Sequence, residues 1–260
     1  MTAFHFGSTD SPLFGIYAPP RPSVVRDAAV LLCAPIGLEY LRTHYAVRLI
    51  AQQLAATGLH VLRFDYRGTG DSSGEVGEGQ FGIWKDDVAL ALHELSEISG
   101  VSTPTVVGIR LGAAIALEAI ADRKLGIRGL VLWDPVVDGI EYLSVLEQMH
   151  GQMISLRREL PRPTNELLGM AYPDDLRDEI RRIRLEDRIS AIDAQAAALV
   201  VSEDRPEYDA LLNAMRNRWP DTTFRSIADP VEWGNMKLAY AARMTGPIVK
   251  AVVEATESLT

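Results

Sequence analysis

The sequence predicts an α/β fold with a mainly parallel central sheet, helices on both faces and an inserted helical cap. First, apolar runs of strand length alternate with helix-rich segments along most of the 260 residues, as in successive β-α-β units with right-handed crossovers. Second, residues 28–34 and 130–133 are almost wholly apolar, as buried parallel strands are. Third, residues 138–193 interrupt the alternation because they show no strand pattern.

The N-terminal elements follow from apolar periodicity and from turn residues. Prolines 19, 20 and 22 end a predicted hairpin, and Gly58 is the predicted stop of the first long helix. In the next helix, Val88, Ala91 and Leu95 share one face. The expected order is a hairpin (residues 3–6 and 13–17), a strand (28–34), a helix (42–56), a strand (59–64) and a helix (81–99).

The next strand and helix meet at Gly108-Ile109-Arg110-Leu111-Gly112. The β-branched run at residues 105–107 enters this pentapeptide, and residues 113–120 behind it are rich in helix formers. Glycines two before and two after the central residue permit a sharp turn that raises the central side chain above the sheet. This is the G-x-S-x-G nucleophile elbow with arginine in place of serine. Arginine is permanently protonated, so it cannot attack a carbonyl.

The second half is predicted to contain the cap and the end of the sheet. We expect residues 1–137 and 194–260 to form the core and residues 138–193 to form the cap. The cap stretch at residues 174–187 is charged nearly all round, which is typical of a solvated face. The expected order is a strand (130–133), cap helices (140–158, 165–170 and 174–187), a strand (197–201), a helix (209–218), a strand (222–227) and a helix (236–255).

Charge and composition limit the partners, cellular location and cofactors that are expected. The formal charge of −9 disfavours nucleic acid and anionic membranes as partners. Cys33 is the only cysteine, which favours a reducing compartment, and no signal peptide or membrane-spanning run is apparent, so a cytoplasmic location is expected. No ligand-type spacing predicts a metal, and the glycine-rich loop at residues 68–74 does not lead into a helix. We therefore expect neither a metal nor another cofactor.

Four segments carry a resemblance to a known family. They are residues 34–44, the stretch Asp65-Tyr66-Arg67-Gly68-Thr69-Gly70-Asp71-Ser72-Ser73-Gly74 with the strand before it, the elbow, and residues 130–137. With these segments the chain resembles the α/β-hydrolases. More narrowly, it resembles the serine-aminopeptidase-type hydrolases associated with exosortase systems and bacterial natural-product clusters. The similarity is distinct over residues 28–146 and weak beyond.

The resemblance assigns catalytic positions, and this chain does not fill all of them. Arg110 occupies the nucleophile position, while Glu203 and Asp204 occupy the acid position after the strand at 197–201. The family's histidine follows that acid, yet the five histidines here, at 5, 44, 60, 93 and 150, all precede it. A Ser-His-Asp triad therefore cannot be assembled.

The oxyanion hole consists of backbone amides and can survive these changes. The resemblance places it at Leu111 and at Ile36 or Gly37. Together with a helix N-terminus and the Arg110 guanidinium, these amides predict an anion site. Glu39 or His44 could move a proton there. Tyr40, Asp134, Trp233 and Asn235 are the other residues expected to bind ligand.

Two functions follow from this apparatus. One is a triad-less hydrolase, lyase or cyclase acting on an acyl- or carboxylate-bearing small molecule in bacterial secondary metabolism. The other is an inactive pseudo-hydrolase that binds an acidic ligand or a partner protein. A structural alternative is that Arg110 pairs with Glu39, Asp134 or Glu203 and fills an unused site. A homodimer is left open.

Overall fold

The computed structural model describes residues 1–21, 25–75, 80–155, 165–228, 233–235 and 246–260. The strands are β1 (Thr2–Gly7), β2 (Pro12–Ala18), β3 (Ala29–Cys33), β4 (His60–Phe64), β5 (Thr105–Ile109), β6 (Gly129–Trp133), β7 (Glu166–Leu167), β8 (Met170–Ala171), β9 (Ala196–Val201) and β10 (Thr223–Ser226). The helices are α1 (Gly37–Ala56), α2 (Phe81–Ser99), α3 (Leu111–Arg123), α4 (Gly139–Ser155), α5 (Asp174–Arg181), α6 (Leu185–Arg188), α7 (Pro206–Arg218) and α8 (Gly246–Glu257).

Eight strands form one sheet in the order β1-β2-β4-β3-β5-β6-β9-β10. The N-terminal hairpin β1-β2 is antiparallel and joins β4 antiparallel, whereas all later neighbours pair in parallel. The predicted α/β class and mainly parallel sheet are confirmed. Because parallel strands end at the same edge, the turns after β3, β5, β6 and β9 meet there.

The core lies on both faces of this sheet. Alternate residues of β6 show the division, since Leu130 and Leu132 pack on one face while Val131 and Trp133 pack on the other. Helices α2, α3 and α7 cover the first face, and α1 and α8 cover the second. The predicted burial of residues 28–34 and 130–133 is confirmed, because every residue in both ranges is buried.

Helix α1 begins at Gly37, five residues before the predicted start at residue 42. Its buried face in the first two turns carries Glu39, Arg42 and Thr43 as well as Leu38. Apolar periodicity does not detect a buried face that is mostly polar. The prediction was therefore wrong at the end of the helix that reaches the site.

The inserted segment between β6 and β9 differs from its prediction. A helix was expected at residues 165–170, but β7 and β8 form a short hairpin there. Leu168 and Gly169, at the turn, have φ values of 53° and 86°, and two consecutive left-handed residues make a tight hairpin turn rather than a helix. The helix expected at residues 174–187 is divided into α5 and α6. Arg184 lies between them and forms an isolated antiparallel β-bridge with Asp138, which requires an extended backbone there.

Two expected helices extend outside the described residues. Residues 156–158 of the first cap helix and residues 236–245 of the last helix belong to undescribed stretches. Within the described ranges, no helix is long and apolar enough to cross a membrane.

Candidate active site

Arg110 occupies a sharp turn between β5 and α3. Its backbone has φ 51° and ψ −126°, a left-handed conformation that non-glycine residues rarely adopt. A Cβ at Gly108 would lie 2.5 Å from Cα of Ala113, and one at Gly112 would lie 2.2 Å from the carbonyl oxygen of Ala34. Glycine is therefore required on both sides of the turn, as the elbow spacing predicts.

The Arg110 side chain is buried, and internal groups hold its guanidinium. Nε donates to Glu39 Oε1 at 2.9 Å, and Nη1 donates to the carbonyl oxygen of Asp134 at 2.8 Å. The guanidinium carbon lies 4.6 Å from the ring centre of Trp233 and 6.0 Å from that of Tyr142. Burial opposes the charge, but Glu39 and the other neighbours outweigh it and raise the pKa of Arg110. Arginine thus stays charged and paired.

Glu39 links this pair to the inserted segment. It lies in the first turn of α1, and only 5% of its surface is exposed. Its second oxygen, Oε2, faces the Tyr142 hydroxyl at 3.4 Å, which is a long contact for a hydroxyl donor. Burial raises the pKa of Tyr142 well above its usual value, so the phenol is a donor at neutral pH. Glu39 therefore has one strongly bound oxygen and one weakly bound oxygen.

The Trp233 ring contacts two cations. The guanidinium carbon of Arg42 lies 5.2 Å from its ring centre, compared with 4.6 Å for Arg110. Arg42 also donates to the Trp233 carbonyl oxygen at 3.1 Å, and the Trp233 indole donates to Asp134 Oδ2 at 2.9 Å. Cation–π contacts of desolvated groups stabilise such an arrangement. Trp233 thus fixes the position of both arginines.

The Asp134 carboxylate is buried beside Trp233 and does not line the cavity. Its oxygens accept from the Ser202 amide at 2.7 Å and the Ser202 hydroxyl at 2.5 Å, besides the Trp233 indole. Burial raises the pKa of Asp134, and these hydrogen bonds oppose the rise. Only its backbone carbonyl contacts Arg110, so the structure places the Asp134 carboxylate away from the cavity where ligand binding was expected.

A cavity of about 20 Å³ lies above the Arg110–Glu39 pair. This volume accommodates about one water molecule. One side is formed by Ile36 and Gly37, and Tyr142 and Trp233 close the polar side. The inserted segment contributes mainly apolar side chains, namely Val145, Leu146, Met149, Leu167, Leu168 and Tyr172. Ligands larger than water therefore require these side chains to move.

Backbone amides remain for an oxyanion. Leu111 and Gly37 are the first residues of α3 and α1, and the amides of a first helical turn have no acceptor within the helix. Gly112 packs against the carbonyl of Ala34, so the start of α3 lies beside the turn that leads into α1. The positive ends of two helices thus approach Arg110 together.

Tyr40 and His44 do not join Arg110, although the sequence placed them with Glu39. Successive residues on a helix are about 100° apart, so Tyr40 and His44 share a face that Glu39 does not. The Tyr40 hydroxyl donates to Asp65 at 2.8 Å, and the exposed His44 ring contacts Tyr40. Both line a different cavity. Of the two predicted proton-transfer groups, Glu39 and His44, the structure therefore places only Glu39 beside Arg110.

The residues after β9 also lie outside the cavity. Glu203 pairs with Arg205 at 2.7 Å and accepts from the Trp233 amide at 3.3 Å. Asp204 is exposed and accepts from the Ser226 hydroxyl. Neither contacts Arg110, because both carboxylates have nearer partners. Asn235 is half-buried and does not line the cavity either.

Sequence reasoning missed Tyr142, Tyr172 and the direct role of Arg42. Tyr142 is placed by the start of α4, where Asp138 Oδ1 accepts from the amides of Ile140 and Glu141 at 2.7 and 3.0 Å. An aspartate just before an apolar helical run is a start signal, so this position was detectable. No metal-binding group of three His, Cys, Asp or Glu occurs within the described stretches.

Comparison with known families gives a match over most of the chain. A family model described as serine aminopeptidase, S33, matches residues 27–190. These residues include β3, the elbow and most of the inserted segment.

One curated protein matches a shorter stretch. Palmitoyl-protein thioesterase ABHD10, mitochondrial, of Rattus norvegicus is 29% identical over 99 residues, which cover 38% of this chain and 30% of that protein. The matched part is less than a third of the relative's length.

Solved structures match nearly the whole chain. Est1E from Butyrivibrio proteoclasticus, with ferulic acid bound, has a TM-score of 0.64 at 14% identity and covers 98% of this chain and 97% of its own. Alpha/beta hydrolase domain-containing protein 10 from mouse has a TM-score of 0.58 at 16% identity, covering 100% of this chain and 98% of its own. At these identities the likeness shows the fold, which is that of the α/β-hydrolases.

Proposed function

Because the chain belongs to the serine aminopeptidase S33 family of α/β-hydrolases, we propose that it hydrolyses an acyl-bearing small molecule without an acyl-enzyme intermediate. The observation that carries this proposal is the buried Arg110–Glu39 pair at the elbow, 2.9 Å apart, beneath a cavity for one water molecule. In this proposal Arg110 takes the position of the family's nucleophile, where a guanidinium cannot attack. A carboxylate beside a bound water supports direct attack by that water.

Glu39 is the base in this proposal. Arg110 holds Oε1, and among the described residues Oε2 has the long contact to Tyr142, so Oε2 is the oxygen that takes a proton from water in this proposal. The resulting hydroxide adds to the acyl carbon. The amides of Leu111 and Gly37 then stabilise the oxyanion. Collapse of this intermediate expels the leaving thiolate or alkoxide, which recovers the proton from Glu39 and leaves a carboxylic acid.

The inserted segment supports an acyl substrate. Leu146, Met149 and Leu167 present apolar surface directly above the elbow. Such surface matches an alkyl or aryl chain, and closing over it excludes bulk water from the reacting centre. The curated relative is named a palmitoyl-protein thioesterase, and Est1E was solved with ferulic acid. Both names agree with an acyl ester or thioester as the substrate class.

A second candidate is a pseudo-hydrolase that binds an acyl or acidic ligand without turnover. One observation favours it: Glu39 and the Asp134 carbonyl already accept from two of the three guanidinium nitrogens of Arg110, and the cavity above is only water-sized. A site closed in this way needs no incoming anion. The two candidates differ in whether multiple turnovers occur.

The test is hydrolysis by purified protein of p-nitrophenyl esters and acyl-coenzyme A thioesters of increasing chain length. We expect several turnovers per protein, lost by roughly 100-fold or more in Glu39→Gln, as for a general base. Glu97→Gln, on the exposed surface of α2, is the matched control and should retain activity. Ligand binding without turnover would establish the pseudo-hydrolase, and full activity of Glu39→Gln would remove Glu39 from the mechanism.

For substrates that lack a hydrolysable bond, we propose elimination or cyclisation. Either reaction would use the same base and the same anion-binding amides. A setting in bacterial secondary metabolism, a cytoplasmic location and a homodimer stay predictions from the sequence.

A further inference from the structure

A second cavity lies on the other side of helix α1. Its volume is about 260 Å³, compared with about 20 Å³ above the elbow. Tyr40 and His44 line it from α1, and Arg63, Asp65 and Asp71 line it from β4 and the turn that follows. It is smaller than the pockets of drug-sized ligands, so it suits a molecule of few heavy atoms.

Arg63 brings to this cavity a guanidinium without a hydrogen-bond acceptor in the described ranges. It lies on β4 opposite Ile16 of β2 and is half-buried. Its Nε is sealed from solvent without a hydrogen-bond partner, and among the described residues its side chain forms no hydrogen bond or ion pair. Burial lowers the pKa of Arg63 more than nearby Tyr40 and Asp65 restore it. A half-buried guanidinium without an acceptor is costly, and a ligand anion would supply one.

The two acids of the cavity are not equivalent. Asp65 accepts from the Tyr40 hydroxyl at 2.8 Å and from the Asp71 amide at 3.0 Å, one donor on each oxygen. The Asp71 carboxylate is exposed, and no cation pairs with it in the part of the chain that the structure describes. Within the described ranges, the cavity therefore offers a guanidinium without a hydrogen-bond acceptor and an Asp71 carboxylate without a cation, while the oxygens of Asp65 accept from neutral donors. A simple anion would match the first and be repelled by the second.

The remaining wall is apolar. Phe14 and Ile16 of β2 and Val47 of α1 line the same cavity. A ligand that carries opposite charges at one end and a hydrocarbon group at the other would match all three features. Burying that hydrocarbon would contribute about 25 cal/mol per Å² of apolar surface.

We infer that this cavity binds a free α-amino acid with an apolar side chain. Its carboxylate accepts from Arg63, its ammonium pairs with Asp71, and its side chain packs on Phe14, Ile16 and Val47. The site is distinct from the elbow cavity, because α1 directs Glu39 and Arg42 to one and Tyr40 and His44 to the other.

The test is calorimetric titration of the full chain with L-leucine and with two analogues, 4-methylpentanoate without the ammonium and 3-methylbutylamine without the carboxylate. We expect leucine to bind and each analogue to bind at least tenfold more weakly, since each lacks one charged contact worth about 1.4 kcal/mol. Equal binding of 4-methylpentanoate and leucine would overturn the inference in favour of a plain anion site. Absence of leucine binding at millimolar concentrations would overturn it altogether.

Variants assign the two charges. Arg63→Gln should weaken leucine and 4-methylpentanoate at least tenfold but strengthen the amine, and Asp71→Asn should weaken leucine but strengthen 4-methylpentanoate. Arg216→Gln, at an exposed arginine of α7, is the matched control and should bind as the parent does. Unchanged leucine affinity in Arg63→Gln would contradict the assignment. The analogue comparison in the unaltered protein decides the matter if a variant fails to fold.

Discussion

Removing either partner of the buried pair should destabilise the protein far more than removing both. The variants are Arg110→Met, Glu39→Leu and the double variant. Arg110 and Glu39 are 4% and 5% exposed, so each single change leaves a buried charge without its counter-ion. Such a loss costs about 3–5 kcal/mol in the free energy of unfolding. The left-handed backbone at Arg110 is common to every variant and cancels from the comparison.

The double variant replaces the pair with apolar side chains of similar size. That exchange is neutral or stabilising by about 1–4 kcal/mol in other proteins. Here the Asp134 carbonyl also loses its donor, at a cost of about 1–3 kcal/mol. We therefore expect the double variant to lie within about 3 kcal/mol of the parent, with a coupling energy of at least about 3 kcal/mol.

Urea denaturation followed by tryptophan fluorescence measures all four free energies, since Trp133 and Trp233 report on the site. The slope of the unfolding free energy against urea concentration must be the same in all four proteins, because a changed slope indicates an altered denatured state. If the losses in unfolding free energy of the two single variants add up in the double variant, Arg110 and Glu39 are not energetically coupled. A loss below about 1 kcal/mol for Arg110→Met would also contradict the buried ion pair.

Three further results are expected. Arg110→Ser should show no gain over the parent in p-nitrophenyl ester cleavage, because no histidine follows β9 in the sequence; a rate above that of the parent would reveal an unrecognised base. His44→Gln should keep the parent's hydrolysis within about twofold, measured as kcat/KM, because His44 lines the other cavity; a large loss would return it to the mechanism. Gly112→Ala should lower stability by about 3 kcal/mol in thermal or urea unfolding, since its Cβ would lie 2.2 Å from the Ala34 carbonyl oxygen, whereas Gly126→Ala meets no atom within 4 Å and should be neutral.

The sheet could be predicted because its strands are buried on both faces. Apolar runs such as residues 28–34 and 130–133 can be recognised as strands without tertiary information. The elbow glycines are also recognisable, because other backbone segments come too close to them for a Cβ atom. The start of α1 could not be predicted, because its buried face contains Glu39 and Arg42. Polar residues are buried there only because they meet partners from distant parts of the chain.

The site was predictable to the level of Arg110 and a short set of acids. Spacing placed Arg110 at the turn, and Glu39 was among its predicted partners, but only the packing of α4 and the rotation of α1 select one acid. The contact between Tyr142 and Glu39 joins residues 103 positions apart. Local patterns carry no information about such contacts.

Helix α1 separates the two cavities, so a change in the length of the loop that leads into it would affect both. One extra residue near Gly37 would turn every later side chain by about 100° around the helix axis. Glu39 would leave its arginine at the same moment that Tyr40 left Asp65. Natural or engineered changes of length at this connection would therefore disturb both cavities together, whereas side-chain substitutions can alter one and spare the other.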